Sequence, residues 1–240
     1  MTNQEAHAVP TSEPSTRHAP AHANHAQAHR GAPAHNPPPR HLPRSPRRGR
    51  LPGRRRPGAA GTTVVLREGS TVLIRQIQAT DAPLLAGIFA RLSPASRWMR
   101  FLAAKNHLTE AELRYLTDVD HHDHEALAAL APDGNGIGAA RYIRYPHDPY
   151  TAEIAIAVVD DWHRRGLGTH LLAQLSDRAR HHGVRRLSAL ISADNEAMAR
   201  LLATMNAEVV DCGAGTIEYQ IALPPSTAAH HHHQRAPCTG

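Results

Sequence analysis

The chain is 240 residues long, 41% hydrophobic, only 4% aromatic and formally +6, which accommodates one domain of ordinary size with additional chain. Residues 1–60 hold ten arginines against Glu5 and Glu13, a balance of +8 that leaves −2 for everything after them; the basic character belongs to that stretch, and the near-neutral remainder lacks the basic face of a dedicated nucleic-acid domain. No window approaches the roughly 18 uncharged apolar residues of a membrane helix, the arginines at 44–56 lead into no export-signal core, and Cys212 and Cys238 are too few and too isolated for a disulfide framework or a thiolate metal site. The expectation is a cytoplasmic protein with no membrane partner.

Residues 1–61 have neither a helical nor a strand period, and 11 of the 19 prolines fall in the first 60. Such a segment cannot bury enough apolar surface to offset the entropy of ordering, so the sequence predicts a disordered Pro/His/Arg-rich tail over 1–61. Within it, residues 44–56 carry the charge to attract phosphates of nucleic acid or acidic surfaces, with a solvated arm as the simpler reading. The histidines at 18, 22, 25 and 29, and those at 230–233, lie in tails without the preorganisation a metal site needs. One folded domain is expected over 62–223, with a second disordered tail over 224–240.

Inside the domain Thr71 to Ile77 alternates apolar and polar residues as a half-buried strand does. Thr80 or Asp81 can cap a helix over 82–92, Ser93 with Pro94 at the first helical position starts a second through Phe101, and Thr109 with Glu112 forms a capping box for a third reaching Leu116. The His121-His122-Asp123-His124 run resembles a metal cluster, but on a strand His122 and His124 share a face that His121 does not. Strands follow over 125–130 and 137–145, joined by the turn chemistry of Pro132-Asp133-Gly134-Asn135-Gly136. A central strand over 152–159, a helix over 166–182, a strand over 186–192 and a helix over 195–206 come next, before closing strands over 208–212 and 217–223. Cys212 reads as a core residue.

The most informative stretch is VVDDWHRRGLGTHLL, Val158 to Leu172. A strand runs into a glycine-bearing loop that opens directly into an amphipathic helix, and the first-turn amides of such a helix lack intrahelical acceptors, so with the helix dipole they can receive a pyrophosphate. Gly166 and Gly168 allow close backbone approach, Arg164 and Arg165 add positive charge, and the Thr169 hydroxyl can donate a further hydrogen bond. Glycines also open helices for packing reasons alone. The loop is neither a Walker loop, lacking GK[ST], nor a dinucleotide fingerprint.

WHRRGLGTHLL resembles the acetyl-CoA loop of the GNAT family of N-acetyltransferases, with His163 at a position usually Gln or Arg, and SALISADNEAMARLLATMNAEVV resembles the strand and helix that follow it in that family. LSPASRWMRF, LTEAELRYLTDVDHHDHEALAAL and AEIAIAVVDDWHRRGLGT are similar to the acetyltransferase domain of bacterial protein lysine acetyltransferases. The resemblance covers about 71–223. It implies an α/β (α+β layered) fold: a mixed, mostly antiparallel sheet of six to seven strands with helices on both faces. It implies acetyl-CoA as co-substrate, held by the backbone from Arg164 through Gly166, Leu167 and Gly168 to Thr169, with Val159 in backbone contact with the thioester or pantetheine and Asn195 on the pantetheine arm. Asn195 is equally an ordinary helix cap. Glu153, second residue of the AE pair, takes the place of the general base.

Acyl transfer from a thioester to an amine needs such a base, because the amine is mostly ammonium at neutral pH. Asp160 and Asp161, at the strand exit, are poorer candidates, and the tyrosine that often reprotonates the leaving thiolate is replaced by Leu202, leaving Tyr145 and Tyr150 as possible donors. The expected function is acetyl transfer to an amine acceptor, foremost a protein lysine. A small-molecule amine acetyltransferase, or a non-catalytic acetyl-CoA- or nucleic-acid-binding module using the arginine-rich tail, are the other readings.

Overall fold

The computed structural model describes residues 61–224; the tail predictions for 1–60 and 225–240, and Cys238, lie outside the described residues. Strands β1 (Thr62–Val65) and β2 (Thr71–Gln76) form a hairpin. Helices α1 (Ala82–Ala90), α2 (Pro94–Phe101) and α3 (Glu110–Thr117) follow. Then come β3 (His124–Leu130), β4 (Gly136–Tyr145) and β5 (Asp148–Val158), helix α4 (Leu167–His181), β6 (Arg186–Ser192), helix α5 (Glu196–Ala203), β7 (Glu208–Gly213) and β8 (Thr216–Ala222). The eight strands form one sheet in the order β1-β2-β3-β4-β5-β6-β8-β7, antiparallel throughout except for β5 against β6. No helix among the described residues is long and apolar enough to cross a membrane.

The helix starts follow local chemistry. Ser93 Oγ accepts from the Ser96 amide with Pro94 at the first position, and the Thr109–Glu112 capping box is formed in both directions. At α1 the expected cap is diverted: the Asp81 carboxylate takes Arg75 in a two-point ion pair, 2.6 and 2.8 Å, and the Gln78 amide at 2.8 Å, and makes no cap bond to α1. The β3–β4 turn closes with Ala131 N–H donating to the Asn135 carbonyl, and Gly134 supplies its positive φ of 83°.

Alternation along the strands sorts side chains to two faces. On one, Leu127, Ala129, Ala140, Tyr142, Ala152 and Ile154 pack beneath Leu171, Leu172, Leu175 and Ala179 of α4, with Leu202 of α5 in the same core. On the other, Ile77, Ala126, Ala128 and Val159 meet Leu85 and Ile88 of α1, with Leu113 and Leu116 of α3 alongside. Glu125 is fully buried on the α4 face, and its carboxylate is satisfied by Gln76 (2.9 Å), His121 (2.7 Å), the Ala126 amide (2.9 Å) and Arg178 of α4 (3.2 Å).

Three expectations are corrected. The sheet has eight strands, not six to seven, because Thr62–Val65 pairs with Thr71–Ile74 although four residues are too few to show a period. Cys212 is exposed, as is all of β7, since no helix covers the outermost strand. The histidines of the 121–124 run point to different partners: His121, at φ 59°, bonds Glu125, His122 bonds Asp123, and only His124 belongs to the strand, where it meets Arg141. Among the described residues no group of three or more His, Cys, Asp or Glu could hold a metal.

Candidate functional site

Strand β5 leaves the sheet through Val159 and a short 3₁₀ turn, Asp160–Trp162, and delivers the glycine loop to the start of α4. Arg164 and Gly166 both take left-handed backbone, at φ 59° and 91°, and alternation with ordinary residues curls successive amides toward one side, the arrangement that makes an anion-binding concavity. The amides of Arg164, Arg165, Gly166, Leu167 and Gly168 donate to no acceptor among the described residues; the next two, Thr169 and His170, both donate to the Gly166 carbonyl. Five consecutive free donors at a helix N-terminus are therefore gathered on one loop.

The loop's side chains are less uniform than the sequence implies. Arg165 is turned aside, to Glu68 at 3.3 Å and over the Trp162 ring at 4.8 Å. Arg164 and Thr169 are exposed, whereas the Leu167 side chain is buried in the core, so only its amide faces outward. Arg67, unnoticed in the sequence, flanks the loop: its amide donates to the Arg165 carbonyl at 3.1 Å, and its side chain lies 3.4 Å from where a Gly166 Cβ would stand. A Cβ on Gly168 would meet Leu201 of α5 at 3.3 Å, so this glycine also serves helix packing. Asn195 caps α5, its Oδ1 accepting from the Met198 amide at 3.1 Å.

Beside the loop the sheet opens. Strands β5 and β6 are in register only at Thr151↔Arg186, Ala152↔Leu187 and Glu153↔Ser188, after which they part. The Val159 amide donates to the Ile137 carbonyl of the preceding hairpin at 2.9 Å, so the backbone contact expected there is not offered by its N–H. In an antiparallel pair hydrogen-bonding direction alternates by residue, which turns the amides of Ile156 and Val158 to the opening. The Val158 carbonyl accepts from His163 Nε2 at 2.8 Å, the contact made by the residue standing where Gln or Arg is usual.

Glu153, Ala155 and Ala157 face the α1–α3 side. Glu153 is half-buried, and burial, reinforced by Glu218, pushes its carboxyl above the ordinary glutamate range against the opposing pull of Arg100. Arg100 of α2 is lowered to about 10 by burial, and Arg141 of β4 to about 9 by burial and by Arg100. Arg141 is held by the Leu116 carbonyl (3.1 Å) and donates to His124 Nε2 (3.2 Å), whose ring burial pushes down to about 3, leaving it neutral and able to accept. Together with Phe101, Leu116, Ala155 and Ala157 the two guanidinium groups line a small cavity beneath α2.

Asp160 has a different task from catalysis. Its carboxylate accepts from the Ser93 amide (2.9 Å), Ser93 Oγ (2.7 Å) and Ser96 Oγ (2.8 Å), pinning the start of α2 to the exit of β5. Tyr145 is half-buried close to Ser188, Glu153 and Glu218, with its phenol raised chiefly by burial. Tyr150 is exposed under Arg185, whose guanidinium stacks 4.5 Å from the ring centre. Leu202 is fully buried core.

A model of the acetyltransferase (GNAT) family matches residues 94–206. An acetyltransferase of Pseudomonas aeruginosa is 35% identical over 136 residues, 55% of this chain and 73% of that protein. The chain belongs to the GNAT acetyltransferase family. The acetyltransferase Pat of Mycolicibacterium smegmatis is similar at 30% identity over 166 residues, 68% of this chain; the match spans about half, 49%, of that protein's length. The solved GNAT domain of S. lividans PAT superposes with a TM-score of 0.65 at 27% identity, covering 68% of this chain and 97% of the domain. Acetyl-CoA is the co-substrate of GNAT acetyltransferases. The free amides from Arg164 to Gly168, flanked by Arg67 and Arg164, have the donor chemistry its diphosphate requires. Of the GNAT site residues expected from sequence, the structure gathers Arg164 to Thr169 on one loop and carries Glu153 on the strand that feeds it. Ile156, Val158, Arg100, Arg141 and Glu218 were missed, because their convergence depends on strand register and on how α2 lies over the sheet.

Proposed function

We propose that this chain transfers the acetyl group of acetyl-CoA to a primary amine, foremost a protein lysine, with Glu153 as general base. The observation that carries the reading is that one strand, β5, holds Glu153 and then, past the gap where it parts from β6, the loop of five free amides. In this reading the backbone of Arg164 to Gly168 holds the diphosphate, with the exposed Thr169 hydroxyl at its edge, and Asn195 lies beside the pantetheine path while capping α5. When bound, acetyl-CoA supplies a thioester carbonyl that an amine can attack. Glu153 removes a proton from the acceptor ammonium, directly or through water, so that the nitrogen lone pair can form the new C–N bond as the C–S bond breaks. The amides of Ile156 and Val158 offer donors on the open strand edge for the charge developing on the carbonyl oxygen. Tyr145, its proton retained because burial raises the phenol, is placed near Glu153 to return a proton to the departing thiolate. The reading keeps the reaction in the cytoplasm, as the sequence leads one to expect. The resemblance of residues 92–101, 108–130 and 152–169 to the acetyltransferase domain of bacterial protein lysine acetyltransferases supports a protein lysine over a small amine.

The test is Glu153→Gln, which preserves size but cannot accept the proton. Acetyl-CoA affinity by calorimetry is expected to be unchanged, while turnover of a lysine peptide near neutral pH falls by roughly 100-fold or more. Full turnover by the variant removes Glu153 from the mechanism.

A further inference from the structure

Three adjacent strands bring a second carboxylate to the proposed base. Glu153 of β5 is the register partner of Ser188 of β6, so both side chains stand on one face. Ser188 pairs in register with Gln220 of β8, and Glu218, two residues earlier on the same strand, shares that face. Ser188 Oγ donates to Glu218 Oε1 at 2.6 Å. Adjacent strands lie about 4.8 Å apart and Glu218 is staggered two residues along β8, opposite Leu190, so the two glutamates start from backbones roughly 12 Å apart, with Ser188 and Tyr145 beside both. The opposite face of these strands is closed by core residues Ala152, Leu187 and Ile221 under α4 and α5, whereas Glu153 and Glu218 are half-buried on the other face, where α2 packs against β5 and β6.

We propose that Glu218 is the second anionic wall of the acceptor site: with Glu153 it receives the acceptor as an ammonium ion, so the acceptor class is a primary alkylamine that is cationic at neutral pH, and Glu218 is its positioning residue. The proposal rests on Glu153 being the base. The physical argument is charge placement. A neutral or anionic acceptor gains nothing from two carboxylates on one face, whereas an ammonium with three donors bridges two acceptors and leaves neither unpaired. Among the described residues neither carboxylate has an ion-pair partner within 4 Å. Ser188, itself 2% exposed, spends its hydroxyl proton on Glu218 and so fixes that carboxylate in place.

The surrounding charges define the pH response. Glu153 is faced by Arg100 from α2, Tyr115 from α3, Tyr145 from β4 and Glu218 from β8. Arg100 favours the ionised base and Glu218 the protonated one, so Glu218 makes Glu153 a stronger base while attracting its substrate.

The experiment compares the full-length protein with Glu218→Gln, Glu218→Asp and Ser188→Ala, using a lysine peptide and a polyamine as acceptors across pH 5 to 9. Glu218→Gln is expected to raise the acceptor KM about tenfold, to leave acetyl-CoA affinity unchanged, and to move the acidic limb of kcat/KM to lower pH, because the like charge that strengthened the base is gone. Glu218→Asp, which keeps the charge, should restore most of the acceptor KM and return the limb. Ser188→Ala should raise KM without moving the limb, a split that a merely structural Glu218 would not produce. An unchanged acceptor KM and limb in Glu218→Gln, with Glu153→Gln inactive, overturns the second wall and spares the base. Full activity in Glu153→Gln overturns both. Absence of wild-type turnover with either cationic acceptor overturns the acceptor class.

Discussion

Burial sets a cost on Glu153 beside the role proposed for it. Its carboxyl is raised above the ordinary value of about 4.3, so the acidic limb of kcat/KM, which follows loss of its proton, should lie above the usual carboxylate range and disappear in Glu153→Gln. The same shift has a stability sign. Below the unfolded-state pKa the group is protonated in both states and costs nothing; as pH rises through the folded pKa the folded chain must carry a charge that burial disfavours, and stability falls to a lower plateau. Glu153→Gln is therefore expected to melt at a higher temperature than wild type at pH 7 but not at pH 3, as scanning calorimetry at the two pH values would read; equal differences at both would contradict the burial argument. Asp160 has the opposite sign. Hydrogen bonds from Ser93 and Ser96 hold its carboxyl below the ordinary range despite partial burial, so its stabilisation is present above the unfolded pKa and is lost as pH falls through the folded one.

At the level of elements, the loop and α4 are fixed at both ends of the helix by different means. At the start, Gly166 sits at φ 91°, where a Cβ costs about 1–2 kcal/mol, and Gly168 abuts Leu201. Gly168→Val is expected to weaken acetyl-CoA binding at least tenfold in calorimetry while the protein stays folded. Adding Leu201→Ala separates the two duties of this glycine: restored affinity would make Gly168 a packing residue, whereas affinity that stays low keeps the backbone approach as its role. Toward the other end, Arg178 reaches the buried Glu125 of β3. Glu125→Ala strands His121, Gln76 and Arg178 at once, and should cost about 3 kcal/mol in urea unfolding with an unchanged m-value. A loss below about 0.5 kcal/mol would mean that the carboxylate network contributes no net stability.

For the whole molecule, every group named in the site lies between residues 61 and 224. Removing residues 1–60 takes away a charge of +8 but none of the loop amides or strand-edge donors, so acetyl-CoA affinity should be unchanged within about twofold at 0.15 M salt, where long-range charge effects are weakened. A tenfold loss would bring the arginine-rich stretch into the cofactor site. The sheet separates two layers: α4 and α5 cover the face opposite Glu153, and α1 to α3 cover part of the face that carries it.

What the sequence determined alone was local. The Ser93 cap and Thr109–Glu112 box are completed within three residues, β6 occupies the expected 186–192, and the glycine loop declares its helix start because positive φ and free amides are properties of neighbouring residues. The tertiary structure decided whatever depends on register or on coverage by another element. Thr62–Val65 becomes a strand only by pairing with β2, and Cys212 is exposed because β7 lies outermost with no helix over it. Val159 and Val158 look alike in sequence, yet pairing with the β3–β4 hairpin commits the amide of the first and frees that of the second. Glu218 stands on the same face as Glu153, bonded to the intervening Ser188, only because β8, last in the chain, lies beside β6, an adjacency that no spacing along the sequence encodes.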